Sequence, residues 1–383
     1  MDKDLTAPAA DQAAADVACL TVRLGAIAAN YRTCQRLAGP AAVAGVVKAD
    51  SYGLGMTRAA ITLLGAGCDT FFVARLEEGI ALRPLARAAR IFVLDGAPND
   101  AIPALIVHRL TPVLNSLSEI SAWSAAAKKA NTTFDAAIHV DSGMNRLGLP
   151  HYELSTLAAE AKERLAPLRV VLTMSHLACA DDSRAKMNQQ QLARFRETLA
   201  MLPASPASLA ATGGILLGKD YAFDMVRAGI GLYGGNPHPA QPNPFAVAAI
   251  LKARIMQLRR VDRGQSVGYG ATYAIERPST LATIAAGYAD GLMRAMGNRG
   301  QGAIAGLRAP FAGRVSMDLI TLDVTDIPAT AISVGADVEL LGDMISLEEV
   351  AGFAGTANYE VLTSLAKRVP RHYVEANNSE GRS

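Results

Sequence analysis

Short apolar runs recur along the first two thirds of the chain, and stretches with helical periodicity separate them. The runs cover residues 41–48, 70–76, 91–96, 110–115, 134–141, 168–176, 209–213 and 225–234. Most are rich in Val, Ile and Phe, with weak alternation between apolar and polar positions. A strand with one wet face alternates. A parallel strand flanked by helices is covered on both faces and stays apolar throughout. Between the runs, Leu154, Leu157, Ala158, Ala161 and Leu165 share one face of a helix over 152–165. Leu192, Phe195, Leu199 and Leu202 do the same over 186–202. A further helix over 56–64 ends at Gly65 and Gly67, which suit the left-handed conformation of a helix C-cap. Eight strands alternating with helices predict a TIM-type (β/α)8 barrel over an open sheet.

A barrel of this kind uses roughly 250 residues, and the chain has 383. The segment 236–244 carries four prolines in nine residues. Proline lacks the N–H that ladders and helices require, so this segment reads as a domain boundary. Beyond it, strand-like runs over 246–261, 266–275, 280–287, 319–324 and 337–341 alternate with Gly, Pro and Asp turns. Only 347–355 and 359–369 read as helical. The expected organisation is a (β/α)8 barrel over 23–244 followed by a mainly β C-terminal domain over 245–383. Residues 1–22 are read as an N-terminal segment packing on the C-terminal domain.

Lys+Arg 37 against Asp+Glu 35 gives a formal charge of +2. That balance supplies no electrostatic case for nucleic acid or an anionic membrane. The cysteines, Cys19, Cys34, Cys68 and Cys179, have neither a C-x-x-C pair nor metal-ligand spacing. They read as reduced thiols of a cytoplasmic protein without a metal site. The first twenty residues contain early aspartates and lack a long apolar core, unlike a secretory signal. No uncharged apolar stretch reaches the roughly 18 residues of a membrane span.

The segment Val46-Val47-Lys48-Ala49-Asp50-Ser51-Tyr52-Gly53-Leu54-Gly55 places a lysine at the end of the first strand. Barrel enzymes put reactive groups at strand C-termini. An amine at an apolar strand end has its protonated form disfavoured, and the free amine can condense with an aldehyde. Chemistry alone leaves a second reading open, a lysine that merely caps a strand.

The same segment resembles the cofactor-lysine motif of the alanine racemase family, the fold-type-III pyridoxal-phosphate enzymes. Further segments resemble that family in the expected order. They are Val-Asp-Ser-Gly-Met-Asn-Arg-Leu-Gly at 140–148, Met-Ser-His-Leu at 174–177, and Asp-Met-Val-Arg-Ala-Gly-Ile-Gly-Leu-Tyr-Gly at 224–234. Val-Gly-Tyr-Gly-Ala-Thr-Tyr follows at 267–273 and Gly-Arg-Val-Ser-Met-Asp at 313–318. Asn-Tyr-Glu at 358–360 and Arg-Val-Pro-Arg at 368–371 complete the series. The resemblance runs from about residue 18 almost to the end. It implies a barrel with a β-rich C-terminal domain, which the strand pattern predicts independently.

The resemblance also implies roles. Lys48 would carry pyridoxal 5'-phosphate, whose phosphate would be held by Tyr52, Thr212, Gly229, Ile230 and Tyr359. Thr212 departs from the pattern, because the family usually shows an Asn-Ser pair where this chain has Ala211-Thr212. Arg227 would face the pyridine nitrogen, where most relatives favouring stronger delocalisation have a carboxylate. A permanent donor keeps that nitrogen neutral and curtails transamination. Lys48 and Tyr269 would be the two bases, with His176 contacting both Tyr269 and Arg227. Arg146 and the Met317 N–H would hold the substrate carboxylate, and Tyr288 would narrow the pocket to small side chains. Tyr269, Tyr288 and Met317 would come from the other subunit of a homodimer with shared sites.

One position departs from the family. Two residues before Asp141 the family commonly has a lysine that becomes carbamylated and orients the arginine, and this chain has His139. The expected activity is interconversion of L- and D-alanine, in a biosynthetic or a catabolic role. Serine or broad-spectrum racemisation is the first alternative. A fold-type-III amino-acid decarboxylase is the second, and a cofactor-binding protein without catalysis the third.

Overall fold

The structure is a computed structural model and describes residues 16–375. It divides into two compact units, one over Ile27–Ala246 and the other formed by residues up to Ala26 together with those from Val247 onward.

The first unit is built on eight parallel strands: β2 (Ala42–Val46), β3 (Thr70–Val73), β4 (Arg90–Val93), β5 (Thr111–Leu114), β6 (Phe134–His139), β7 (Leu168–Met174), β8 (Ala207–Ser208) and β9 (Met225–Ala228). They pair in the order β8-β7-β6-β5-β4-β3-β2-β9. A bridge between Ala211 and Arg227 joins the two ends of that path, so the sheet is a nearly closed barrel. The apolar runs become strands because both faces are covered: β3 and β5 are buried throughout. Phe72 and Phe92 stack with ring centroids 4.6 Å apart. Each large side chain buried this way contributes roughly 1.5–3 kcal/mol. Helices follow β2, β3, β4, β5, β6, β7 and β8, including Met56–Gly65, His151–Arg164 and Lys186–Met201.

Three expected elements are corrected. The strand expected over 209–213 is β8 at Ala207–Ser208, and a helix begins at Thr212. Gly213 and Gly214 bring that helix so close that a Cβ would sit 2.9 Å from the Ala180 carbonyl oxygen and 2.7 Å from the Ala210 Cβ. The strand expected over 266–275 is split into β11 (Ser266–Val267) and β12 (Tyr273–Ala274) by a turn at Tyr269–Ala271. The helix expected over 359–369 is Asn358–Ser364. Arg371 donates to the Leu365, Ala366 and Val369 carbonyls, which turns the chain away from the helix.

The second unit is mainly β. β10 (Ala249–Val261) is its spine and pairs with β13 (Ser279–Ile284), β17 (Asp337–Leu341) and β1 (Ala18–Arg23). β14 (Gln301–Ile304), β15 (Leu307–Pro310) and β16 (Ile320–Asp323) extend the sheet, and β18 (Arg371–Val374) lies parallel to β1. The expectation for residues 1–22 falls outside the described residues up to position 15. No helix among the described residues is long and apolar enough to cross a membrane.

Candidate active site

β2 carries Val47 and Lys48 past its C-terminal end, where the Val47 N–H still reaches the Phe72 carbonyl at 3.0 Å. Ala49, Asp50, Ser51 and Tyr52 then take φ of 52, 53, 54 and 57°, one turn of left-handed helix. For residues with a Cβ that conformation costs roughly 1–2 kcal/mol each, so it must be imposed from outside. Within the turn, Ser51 N–H bonds Val47 O at 3.0 Å and Gly53 N–H bonds Ala49 O at 2.9 Å. Asp50 Oδ1 accepts from Met56 N–H at 2.7 Å, and Glu78 Oε1 accepts from Ala49 N–H at 2.6 Å. Tyr52 is buried against Tyr233, with ring centroids 4.8 Å apart, and Tyr233 Oη donates to Val46 O at 2.8 Å. Burial holds the Lys48 ammonium below its ordinary pKa; Arg146 and Arg227 push it the same way, against Glu78 and Asp95.

Arg227 lies on β9 inside the barrel, 4% exposed. Its Nη1 donates to Ser208 O at 3.0 Å and to Ser208 Oγ at 2.5 Å. Its Nη2 donates to Ser175 O at 2.6 Å and meets His176 Nδ1 at 3.2 Å. Burial lowers the guanidinium to about 10, so it remains charged at neutral pH. The His176 pKa is pushed well below the ordinary imidazole range by burial and then by Arg227. His176 is therefore neutral, accepts at Nδ1 and keeps its hydrogen on Nε2. The expected His176–Arg227 contact is thus present, with the charge on Arg227 and the histidine neutral.

Opposite Tyr52 lies a cradle of small residues. Thr212 Oγ1 accepts from Gly229 N–H at 2.9 Å and Gly231 N–H at 3.4 Å, so its own hydroxyl hydrogen is spent on neither contact. A Cβ on Gly229 would come 2.4 Å from Tyr52 Oη, so only glycine permits this approach. Tyr52, Thr212, Gly229 and Ile230 are thus gathered beside Lys48 and Arg227 in one barrel.

The loop after β6 carries Arg146. Asp141 Oδ1 accepts from the Gly143, Met144 and Asn145 N–H groups at 2.8, 2.9 and 3.2 Å, so its carboxylate shapes the loop rather than pairing with Arg146. His139 Nδ1 lies 2.7 Å from Asn115 Oδ1. The Asn115 amide nitrogen is committed to the Leu94 and Val113 carbonyls, so His139 must donate at Nδ1. Its Nε2 is an acceptor, and burial depresses its pKa to about 4.

The remaining expected residues belong to the second unit. Tyr269, Tyr288, Met317 and Tyr359 are all exposed there, Tyr269 by 70%. Tyr288 and Met317 sit on adjoining loops: Tyr288 N–H bonds Ser316 O and Ala289 N–H bonds Met317 O, each at 2.9 Å. Asp290 fixes this corner by accepting from Gly287 N–H at 2.8 Å and from Arg368 Nε at 2.7 Å.

Residues 22–237 match the family model for the alanine racemase N-terminal domain, and 248–373 match that for the alanine racemase C-terminal domain. The chain belongs to the alanine racemase family. It is 47% identical over 358 residues to alanine racemase from Rhodospirillum rubrum, covering 93% of this chain and 96% of that one. It is 46% identical to a catabolic alanine racemase from Mesorhizobium japonicum, covering 94% of each. A crystal structure of alanine racemase from Bartonella henselae with covalently bound pyridoxal phosphate superposes with a TM-score of 0.90 at 40% identity, over 94% of this chain and all of that one.

Within this alanine racemase fold, three polar residues escaped the sequence reading: Glu78, Asn115 and Ser208. Each contacts a residue of the site through a partner distant in sequence, and none sits in a motif of its own. Glu78 alone left a trace, as the third residue of a helix directly after β3.

Proposed function

We propose that this chain interconverts L- and D-alanine with pyridoxal 5'-phosphate carried by Lys48. The observation that supports it above all is Arg227, a buried, charged residue with donors only, where a cofactor ring could be met from one side. The residues suit that cofactor: an amine held toward its neutral form, an approach at Gly229 that a Cβ would close, and a Thr212 hydroxyl whose hydrogen is spent on neither glycine. Thr212, Gly229, Ile230 and Tyr52 would hold the phosphate, with Tyr359. When bound, pyridoxal phosphate supplies the electron sink that acidifies the α-carbon of an amino acid.

Lys48 Nζ moves the proton on one face and Tyr269 of the partner subunit on the other, as racemisation requires. A tyrosine at its reference pKa of about 10 is a weak base; the Nε2–H of neutral His176, polarised by Arg227, would favour its anion. Arg146 and the Met317 N–H would bind the substrate carboxylate. Tyr288 would restrict the pocket to small side chains. The reading carries with it a cytoplasmic homodimer with shared sites, on the family resemblance.

The test is a racemisation screen over the standard amino acids with added pyridoxal phosphate. Alanine is expected to be racemised fastest in both directions, and Lys48→Ala to be inactive. Faster turnover of serine or of many amino acids would replace the substrate, and release of carbon dioxide would replace the reaction.

A further inference from the structure

We propose that Glu78 is a positioning residue for Lys48, clamping the left-handed turn that follows it; the proposal rests on the reading of Lys48 as the cofactor lysine. The β2–β3 ladder pairs Gly45 with Phe71 and Val46 with Phe72, and its last link is Val47 N–H to Phe72 O. Beyond that point one carboxylate continues the tie. Glu78 Oε2 accepts from Ala74 N–H at 2.8 Å and Arg75 N–H at 3.1 Å, while Oε1 accepts from Ala49 N–H at 2.6 Å. Ala49 is the residue after Lys48 and the first of the four left-handed residues. An alanine released from this bond relaxes toward right-handed φ, and the Lys48 side chain swings with it. Three N–H groups converge on two oxygens, so only a carboxylate satisfies both sides. A glutamine of the same shape must turn its NH2 against a backbone N–H.

The experiment compares the full chain as wild type, Glu78→Gln, and Glu78→Gln with Ala49→Gly. The first readout is amide exchange of the peptide over 48–55 without cofactor. The second is the rate at which borohydride fixes pyridoxal phosphate on Lys48, and the third is the split of kcat from KM for alanine. Glu78→Gln is expected to speed exchange and to slow both trapping and kcat by roughly 10–100-fold, by analogy with groups that orient metal ligands, with KM little changed. Glycine has no penalty for left-handed φ, so Ala49→Gly should restore part of each loss. Wild-type exchange and trapping in Glu78→Gln would overturn the proposal, as would a double variant no better than the single one. If Glu78→Gln does not fold, Glu78→Asp, one methylene short of spanning both sides, is compared on the same readouts with the same outcomes. Exchange needs no cofactor, so a wild-type chain that fails to racemise alanine would sink the functional reading and leave this result standing.

Discussion

His139 and Asn115 form a pair in which the amide dictates the imidazole. Because the Asn115 nitrogen is spent on two carbonyls, the ring must donate at Nδ1 and offer a lone pair at Nε2. A histidine cannot carry a carbamate, yet in this tautomer its Nε2 is still an acceptor. The pKa of about 4, against 6.5 for a free imidazole, fixes the sign of its pH dependence. Between those values the unfolded chain binds a proton that the folded chain refuses. Folded stability therefore falls as pH drops from 6.5 toward 4 and levels off below that. The full span is on the order of 3 kcal/mol, at about 1.4 per pH unit. In urea unfolding at pH 7 and pH 4.5, wild type should lose about 2–3 kcal/mol more than His139→Gln. An equal loss in both would show that the ring is not held neutral. None of this is visible in the sequence, where position 139 reads only as a departure from a motif. The tautomer depends on Asn115, which lies 24 residues away, just past the end of β5.

Among elements, the strands were the most legible and the turn after Lys48 the least. Buried parallel strands announce themselves as apolar runs, so six of the eight were expected within three residues of their observed ends, while the run over 225–234 holds β9 only to Ala228 and then a 3-10 turn at Ile230–Tyr233. β8 was misplaced because its apolar run continues through the cradle into a helix, and composition does not mark where the ladder stops. The left-handed turn had no signature at all. Ala-Asp-Ser-Tyr contains no glycine, and local preference argues for right-handed φ at each position. Tertiary contacts override that preference: Glu78, Asp50 and the Tyr52–Tyr233 packing hold the turn from three sides. The cradle across from it was legible by residue, including Gly229, but not by reason, since the close approach of Tyr52 appears only in three dimensions. Gly229→Ala puts a methyl 2.4 Å from Tyr52 Oη and must displace that ring. Retention of pyridoxal phosphate, measured by equilibrium dialysis, should fall at least tenfold (about 1.4 kcal/mol). Wild-type retention would mean that the turn yields more readily than its hydrogen bonds imply.

For the whole molecule, the expected site residues fall into two sets, Lys48, Arg146, His176 and Arg227 in one unit and Tyr269, Tyr288, Met317 and Tyr359 in the other. The proposed sharing of sites between subunits has a direct test. Tyr269→Phe should retain pyridoxal phosphate and lose racemisation by roughly 10²–10⁴-fold, the usual worth of an acid–base group. Lys48→Ala should be inactive. In a mixed dimer one of two sites would hold both intact residues, so activity should partly return after subunit exchange. No recovery from fully exchanged dimers would place both bases in one chain. The second unit is also divided in sequence: β1 pairs with β10 and with β18, so the two ends of the described chain meet in one sheet. During synthesis β1 leaves the ribosome first, but β10 follows only after the whole of the 27–246 unit. At about 5–20 residues per second that is a wait of roughly 10–50 s. The barrel can close in that interval while β1 still carries two unmet edges. The order of translation therefore leaves this short strand waiting for both of its neighbours, although in the finished fold it is paired along both edges.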